Sequence, residues 1–86
     1  MDDLETTANV LKALANKNRL IILREIKQKK SITVGETAKI LDITIAAASS
    51  HLQILEKAEI LSRKKRGLNV TYRLMLTGEQ WVKRIV

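Results

Sequence analysis

Along this chain the spacing of apolar residues changes from a period near 3.6 to a period of 2 at about Lys57. Before the change, four helices are predicted. From Leu4 to Ala15, one stripe holds Leu4, Ala8, Leu11 and Ala15, and a neighbouring one holds Val10 and Leu14. That is more apolar surface than a helix packed on one side requires, so a second side should meet another element or another subunit. Asn16 is an N-cap residue for a helix from Lys17 to about Lys29, with Leu20, Ile22, Leu23 and Ile26 on its buried face. Lys27, Lys29 and Lys30 cluster at its end, where cations oppose the negative pole of the helix dipole. Thr33-Val34-Gly35-Glu36 has the form of a capping box and opens a short helix to Leu41, burying Val34, Ala38 and Leu41. Asp42-Ile43 makes a turn, and Thr44 caps a fourth helix to Lys57, with Ala48, Leu52 and Leu55 on its inner side.

Beyond Lys57, Ile60 to Lys65 and Leu68 to Leu74 read as two strands around Arg66-Gly67. Val70, Tyr72 and Leu74 should face inward, and Asn69, Thr71 and Arg73 outward. Thr77-Gly78-Glu79-Gln80 has a second capping-box form and begins a last short helix with Trp81, Val82 and Ile85. The predicted fold is mainly α (α+β), in the order α-α-α-α-β-β-α. Two short helices joined by a few residues and followed by a hairpin form a winged helix-turn-helix.

Eighty-six residues suffice for one domain over 1–86 with a single modest core. That core must be aliphatic, because Phe is absent and Tyr72 and Trp81 are the only aromatic residues. No apolar run reaches the length of a membrane span, and the start Met1-Asp2-Asp3 is acidic where a signal peptide would be basic, so a cytoplasmic location is expected. Without cysteine there is no disulfide, thiolate metal site, redox switch or cysteine nucleophile. No carboxylate pair, Ser/His/Asp set or phosphate-cradling glycine loop can be assembled, which excludes an enzyme reading and leaves no cofactor to expect.

Charge changes the picture more. The net charge is +7, and from Lys57 onward eight basic residues face only Glu59 and Glu79, a balance of +6. Such asymmetry favours a polyanionic partner. Yet the outer side of the fourth helix, around Ile45, Ala46, Ser49, Ser50 and Gln53, carries no charge. A solvated face usually bears Lys and Glu, so a bare one of small residues suits close approach to another surface. Ile45, Ala46, Ala47, Ser49, Ser50 and Gln53 are candidates for base edges in the DNA major groove, where methyl groups can meet thymine methyls and Ser or Gln can bond base edges, and Thr44 at the helix start is a further DNA-binding candidate. None supplies an arginine–guanine pair, so specificity should be modest per contact, leaning towards A·T-rich sites. The bland alternative is an alanine-rich helix with good propensity. Arg63, Lys64, Lys65 and Arg66, with Asn69 across the hairpin, are candidate phosphate contacts; the alternative is a solvated hairpin whose charges discourage edge-to-edge pairing. His51 either packs or faces DNA. Leu4, Ala8, Leu11, Trp81 and Ile85 are candidates for a dimer interface, against intramolecular packing.

Leu11-Lys12-Ala13-Leu14-Ala15-Asn16 with Arg19-Leu20 and Ile22-Leu23, then Ser49-Ser50-His51-Leu52 with Leu55, then Tyr72-Arg73-Leu74 carry a resemblance. From about Ala8 to Leu74 the chain resembles the ArsR/SmtB family of bacterial and archaeal repressors. The resemblance implies a homodimer joined through the first and last helices, a recognition helix in the major groove and a wing on phosphates. Many members release DNA when a metal binds or cysteines oxidise. Here the segment Ser31 to Leu41 has neither Cys nor His, Thr77 to Val86 offers only Glu79, and His51 is the one histidine. A closed nitrogen/sulfur site cannot be assembled, so metal sensing is not expected. Asp42 and Glu59 stand at turns where the family usually has Gly; Asp tolerates a left-handed conformation better than most residues, but neither replacement is free. The expected function is a dimeric, sequence-specific double-stranded DNA-binding regulator that represses by occluding a promoter. A non-specific DNA or RNA binder and a winged-helix module that contacts protein remain open alternatives.

Overall fold

A computed structural model describes residues 3–86; the acidic start at Met1 and Asp2 lies outside the described residues. Helix α1 (Asp3–Leu14) turns Val10, Ala13 and Leu14 inward. Its other stripe, Leu4, Ala8, Leu11 and the following Ala15, is exposed, Leu4 by 81 % and Leu11 by 49 %. Asn16 then reverses the chain, its Oδ1 accepting from Arg19 N at 3.1 Å, and α2 (Lys17–Lys29) follows. Ile22, Leu23 and Ile26 are the buried side of α2, while Leu20, expected among them, is half-buried.

Between α2 and the next helix lies an element that the pattern did not announce, the two-residue strand β1 (Ile32–Thr33). The capping box forms as expected: Glu36 N donates to Thr33 Oγ1 at 3.1 Å and Thr33 N to Glu36 Oε1 at 2.8 Å. Helix α3 (Val34–Leu41) buries Ala38 and Thr37, whose hydroxyl donates to Thr33 O at 2.8 Å; Val34 and Leu41 pack at the core's margin. Asp42 ends α3 in the left-handed region at φ 56°, and Ile43 N reaches back to Ala38 O at 3.0 Å. Thr44 caps α4 (Ile45–Lys57) by accepting from Ala47 N at 3.1 Å. Glu59 repeats the left-handed exit at φ 61°, with Ile60 N on Leu55 O at 3.0 Å. Both turns therefore adopt the conformation in which glycine is favoured, without glycine.

Strands β2 (Leu61–Arg66) and β3 (Asn69–Leu74) pair antiparallel from Leu61↔Leu74 at the base to Arg66↔Asn69 at the tip. The loop is Gly67-Leu68, one position beyond the Arg66-Gly67 expected. Gly67 takes φ +58°, the positive value that a two-residue hairpin loop with glycine first requires. β1 pairs with the other edge of β3, Ile32 opposite Tyr72 and Thr33 opposite Thr71, giving the order β1-β3-β2. Thr71, expected to face outward, is consequently half-covered.

Helix α5 (Leu76–Ile85) begins one residue before Thr77, and its N-cap is Met75, with no side-chain cap bond. The second capping box does not form, because Thr77 falls inside the helix and not at its cap; its hydroxyl donates to Glu59 O at 2.6 Å. Met75 N donates to Ile60 O at 2.9 Å, and Gly78 is buried against that same carbonyl. These contacts clamp the start of α5 onto the α4–β2 corner. The buried cluster is aliphatic apart from Tyr72 and takes residues from α1, α2, α4 and α5, β1 and both wing strands, with Val34 and Leu41 of α3 and Trp81 packed at its edge.

Candidate nucleic-acid interface

Helix α4 is held from inside by Ala48, Leu52 and Leu55, all fully buried. That fixes which side remains outside. Ile45, Ala46, Ser50 and Gln53 are exposed, Ile45 by 58 %, and Ala47 and Ser49 are half-exposed. Thr44 lies exposed at the N-terminal end of the same helix. Gln53 Nε2 donates to Ser49 Oγ at 3.0 Å, so two of the polar candidates are already oriented along the helix surface. The outer face of α4 is thus continuous and uncharged from Ile45 to Gln53.

On the β2 side the hairpin that follows is buried only at its base. From Arg63 to Asn69 every residue is exposed, so the four cations and the tip face outward, while Tyr72 and Val70, opposite Arg63 and Lys65, pack on the core. Paired residues share a face of the ribbon, and successive ones alternate. Arg63 and Lys65 therefore lie on one face, Lys64 and Arg66 on the other. Among the described residues the ion pair present is Lys29 with Glu25, far from these four cations in sequence. Four adjacent like charges without an acidic neighbour lower their mutual repulsion when a polyanion approaches.

His51 occupies a different setting from the other α4 candidates. It is half-buried, and its Nδ1 lies 3.1 Å from an Arg19 terminal nitrogen. Arg19 also donates from Nε to Ala13 O at 2.6 Å and from its other terminal nitrogen to Lys12 O at 3.4 Å. The guanidinium can only donate, so Nδ1 accepts and the ring proton sits on Nε2. Arg19 thereby satisfies the last carbonyls of α1 and ties that helix to α4. The sequence reading missed Arg19 in this role, since its link to His51 spans 32 positions and leaves no periodic signal.

Burial first, and the Arg19 charge second, lower the His51 pKa below 6.5. The unfolded chain therefore binds this proton at higher pH than the folded one. The stability from the neutral ring is complete above about pH 6.5 and falls as the pH drops below it. Replacing His51 by Asn keeps an acceptor near the Nδ1 position and removes the titration. The wild type is expected to lose more stability to urea than His51→Asn between about pH 7.5 and 5.5. Equal losses would show that this ring does not titrate against Arg19.

The dimer candidates are distributed over two helices. Leu4, Ala8 and Leu11 are exposed along α1, Ile85 is exposed on α5 and Trp81 is half-buried there. Leu76, not singled out from the sequence, is also exposed on α5. Among the described residues no group of three or more His, Cys, Asp or Glu could hold a metal ion, and no helix is long and apolar enough to cross a membrane.

Comparison with known proteins gives this geometry its context. A helix-turn-helix domain family matches residues 14–63, from the end of α1 into the wing. The transcriptional repressor SdpR of Bacillus subtilis is 33 % identical over 69 residues, covering 80 % of this chain and 76 % of SdpR. The transcriptional repressor PagR of Bacillus anthracis is 32 % identical over 69 residues, covering 80 % of this chain and 69 % of PagR. The crystal structure of PagR superposes with a TM-score of 0.80 over 94 % of this chain and 93 % of that one. The homodimeric winged helix-turn-helix DNA-binding domain Mb0332 of Mycobacterium bovis, described as a possible ArsR-family regulator, is 31 % identical, with a TM-score of 0.79 over 94 % of this chain and 71 % of that one. The chain thus belongs to the helix-turn-helix family as an ArsR-like winged helix-turn-helix protein, a family of DNA-binding transcriptional regulators and not of enzymes.

Proposed function

We propose that the protein is a homodimeric repressor that lays α4 in the major groove of a specific operator and sets its wing on the flanking phosphates. The observation that carries this reading is the pairing of the bare outer face of α4 with the projecting cations Arg63 to Arg66. The first surface is shaped for base edges and the second for backbone, a division of labour general to DNA-reading proteins. Ile45, Ala46, Ala47, Ser49, Ser50 and Gln53 meet bases. Thr44, Asn69 and the wing cations position the domain, and His51 with Arg19 fixes the orientation of α4. The repressor reading is supported by the relatives PagR and SdpR, which are named transcriptional repressors, and repression follows from occlusion of a promoter. With no cysteine and one histidine in the chain, operator release does not use a closed nitrogen/sulfur metal site.

The dimer forms through α1 and α5. The support is the exposed stripe Leu4, Ala8 and Leu11, together with Trp81 and Ile85, and the homodimer described for Mb0332. Sedimentation at tens of micromolar protein is expected to give a dimer, and Leu11→Glu to give a folded monomer. A wild-type monomer at that concentration would contradict the assembly.

Specific recognition is tested by competition. An operator duplex should outcompete unrelated DNA by roughly a thousandfold or more. Equal competition by any duplex would reduce the protein to a non-specific polyanion binder. Weak duplex binding at about 150 mM salt would instead favour a module that contacts protein.

A further inference from the structure

At the apex of the wing the chain holds out a leucine. Leu68 is 99 % exposed, and its neighbours Lys65, Arg66, Gly67 and Asn69 are exposed as well. The turn does not ask for it. A two-residue loop of this kind needs a residue that accepts positive φ first, which Gly67 supplies, and turn positions generally favour Gly, Asn, Asp and Ser. Packing does not ask for it either, since every residue from Arg63 to Asn69 is exposed. Single exposed leucines are ordinary on a broad surface. This one stands at the narrowest and farthest point of a basic ribbon.

We infer that Leu68 enters the DNA minor groove beside the α4 site and favours A·T over G·C pairs there by apolar contact with the groove floor. The inference rests on the wing reading above and adds a specificity-determining residue to it. A minor groove about 6 Å wide excludes a two-stranded ribbon, whose strands alone lie about 4.8 Å apart before side chains are counted, but admits a single side chain. The hairpin presents one such side chain at its tip. Gly67 beside it has nothing within 4 Å of where a Cβ would lie, so the turn's backbone can come close to a groove wall. Cations on both faces of the ribbon can reach the phosphates of both walls.

The chemistry of discrimination is a missing partner. In the minor groove A·T pairs show acceptors only, while guanine adds a 2-amino donor that stands out from the floor. Leucine has no acceptor for that N–H. Over a G·C pair it strips water from the amino group and offers nothing in return, whereas over A·T its methyl groups lie on a floor without a protruding donor. The preference therefore works by rejection and needs no hydrogen bond from the protein.

Inosine separates this contact from readout on the major-groove side, because inosine·cytosine differs from G·C by loss of the 2-amino group alone. Three duplexes carrying the selected operator would differ only beneath the wing, with A·T, inosine·C or G·C pairs. The wild type is expected to bind the first two alike and the third about five- to tenfold more weakly, the low end of what one wrong base pair costs. Leu68→Ser should bring all three within about twofold of one another at an unchanged salt slope and an unchanged melting temperature, since the side chain touches nothing in the free protein. Inosine·C behaving as G·C, or Leu68→Ser keeping the preference, would overturn the inference. Lys64→Ala/Lys65→Ala/Arg66→Ala, measured in parallel, reports on the wing itself. An unchanged salt slope in that variant removes the parent reading, and a reduced slope beside an unaltered Leu68→Ser preference removes the leucine assignment alone.

Discussion

Replacing Lys64, Lys65 and Arg66 together by alanine is expected to weaken binding to every duplex by about a hundredfold at 150 mM salt. The size follows from counterion release. Each phosphate neutralised contributes about 0.9 to the slope of log affinity against log salt, so three contacts contribute about 2.7. Between 1 M salt, where this contribution vanishes, and 150 mM, that slope amounts to about two decades. The loss should be nearly the same for operator and unrelated DNA, because phosphates carry no sequence information. All three side chains are exposed on the outer hairpin, so folding should not change. Fluorescence anisotropy over a salt series, with a thermal melt as control, measures both quantities. An unchanged slope in a folded variant would take the wing off the DNA.

Gly78→Ala is expected to destabilise the fold by about 2 kcal/mol or more, although alanine is the better helix former. Two effects compete. Inside α5 the exchange should gain up to about 1 kcal/mol of helix propensity. Against this, the new Cβ would fall well within van der Waals contact of the Ile60 carbonyl oxygen, with Ile60 Cγ2 only 3.1 Å away. Overpacking of this kind costs about 1–3 kcal/mol when the neighbour can move. This neighbour resists movement, because Ile60 O accepts from Met75 N at 2.9 Å and the adjoining Glu59 O accepts from Thr77 Oγ1 at 2.6 Å. The clash therefore wins. For a domain of this size the loss corresponds to a fall in melting temperature of about 8–16 °C, readable by circular dichroism. A rise in melting temperature would mean that α5 does not approach the α4–β2 corner so closely.

The elements readable in the sequence are those whose stabilisation is local. Asn16, Thr33 and Thr44 cap helices through bonds to backbone three positions on, so residue type and spacing were enough to place them. The same holds for the inner stripe of α4, and the turns at Asp42 and Glu59 were marked by the glycine that the family usually has there. What stayed hidden is held by partners distant in the chain. Strand β1 is two residues long, too short to show a period, and exists because β3 has a free edge beside it. Thr77 has the spacing of a cap residue, but a carbonyl 18 positions earlier takes its hydroxyl. The Arg19–His51 contact likewise joins α2 to α4 across 32 positions. In the candidate interface, the bare face of α4 and the cation run could be read directly from composition. Leu68 could not be singled out, because its exposure depends on where the hairpin turns, one residue later than the pattern suggested.

The most direct test of the central claim is selection of random duplex DNA by the purified protein at about 150 mM salt, where purely electrostatic binding is suppressed. A homodimer with α4 in the major groove predicts enrichment of a two-fold symmetric motif with half-sites about 10 base pairs apart, or a multiple of that spacing. Half-sites should be rich in A·T pairs, since the α4 face offers methyl groups and small hydroxyls and no arginine for guanine. An enriched set without a common motif, with binding that fades steadily as salt rises, would contradict sequence-specific repression and leave the wing as a general contact for polyanions.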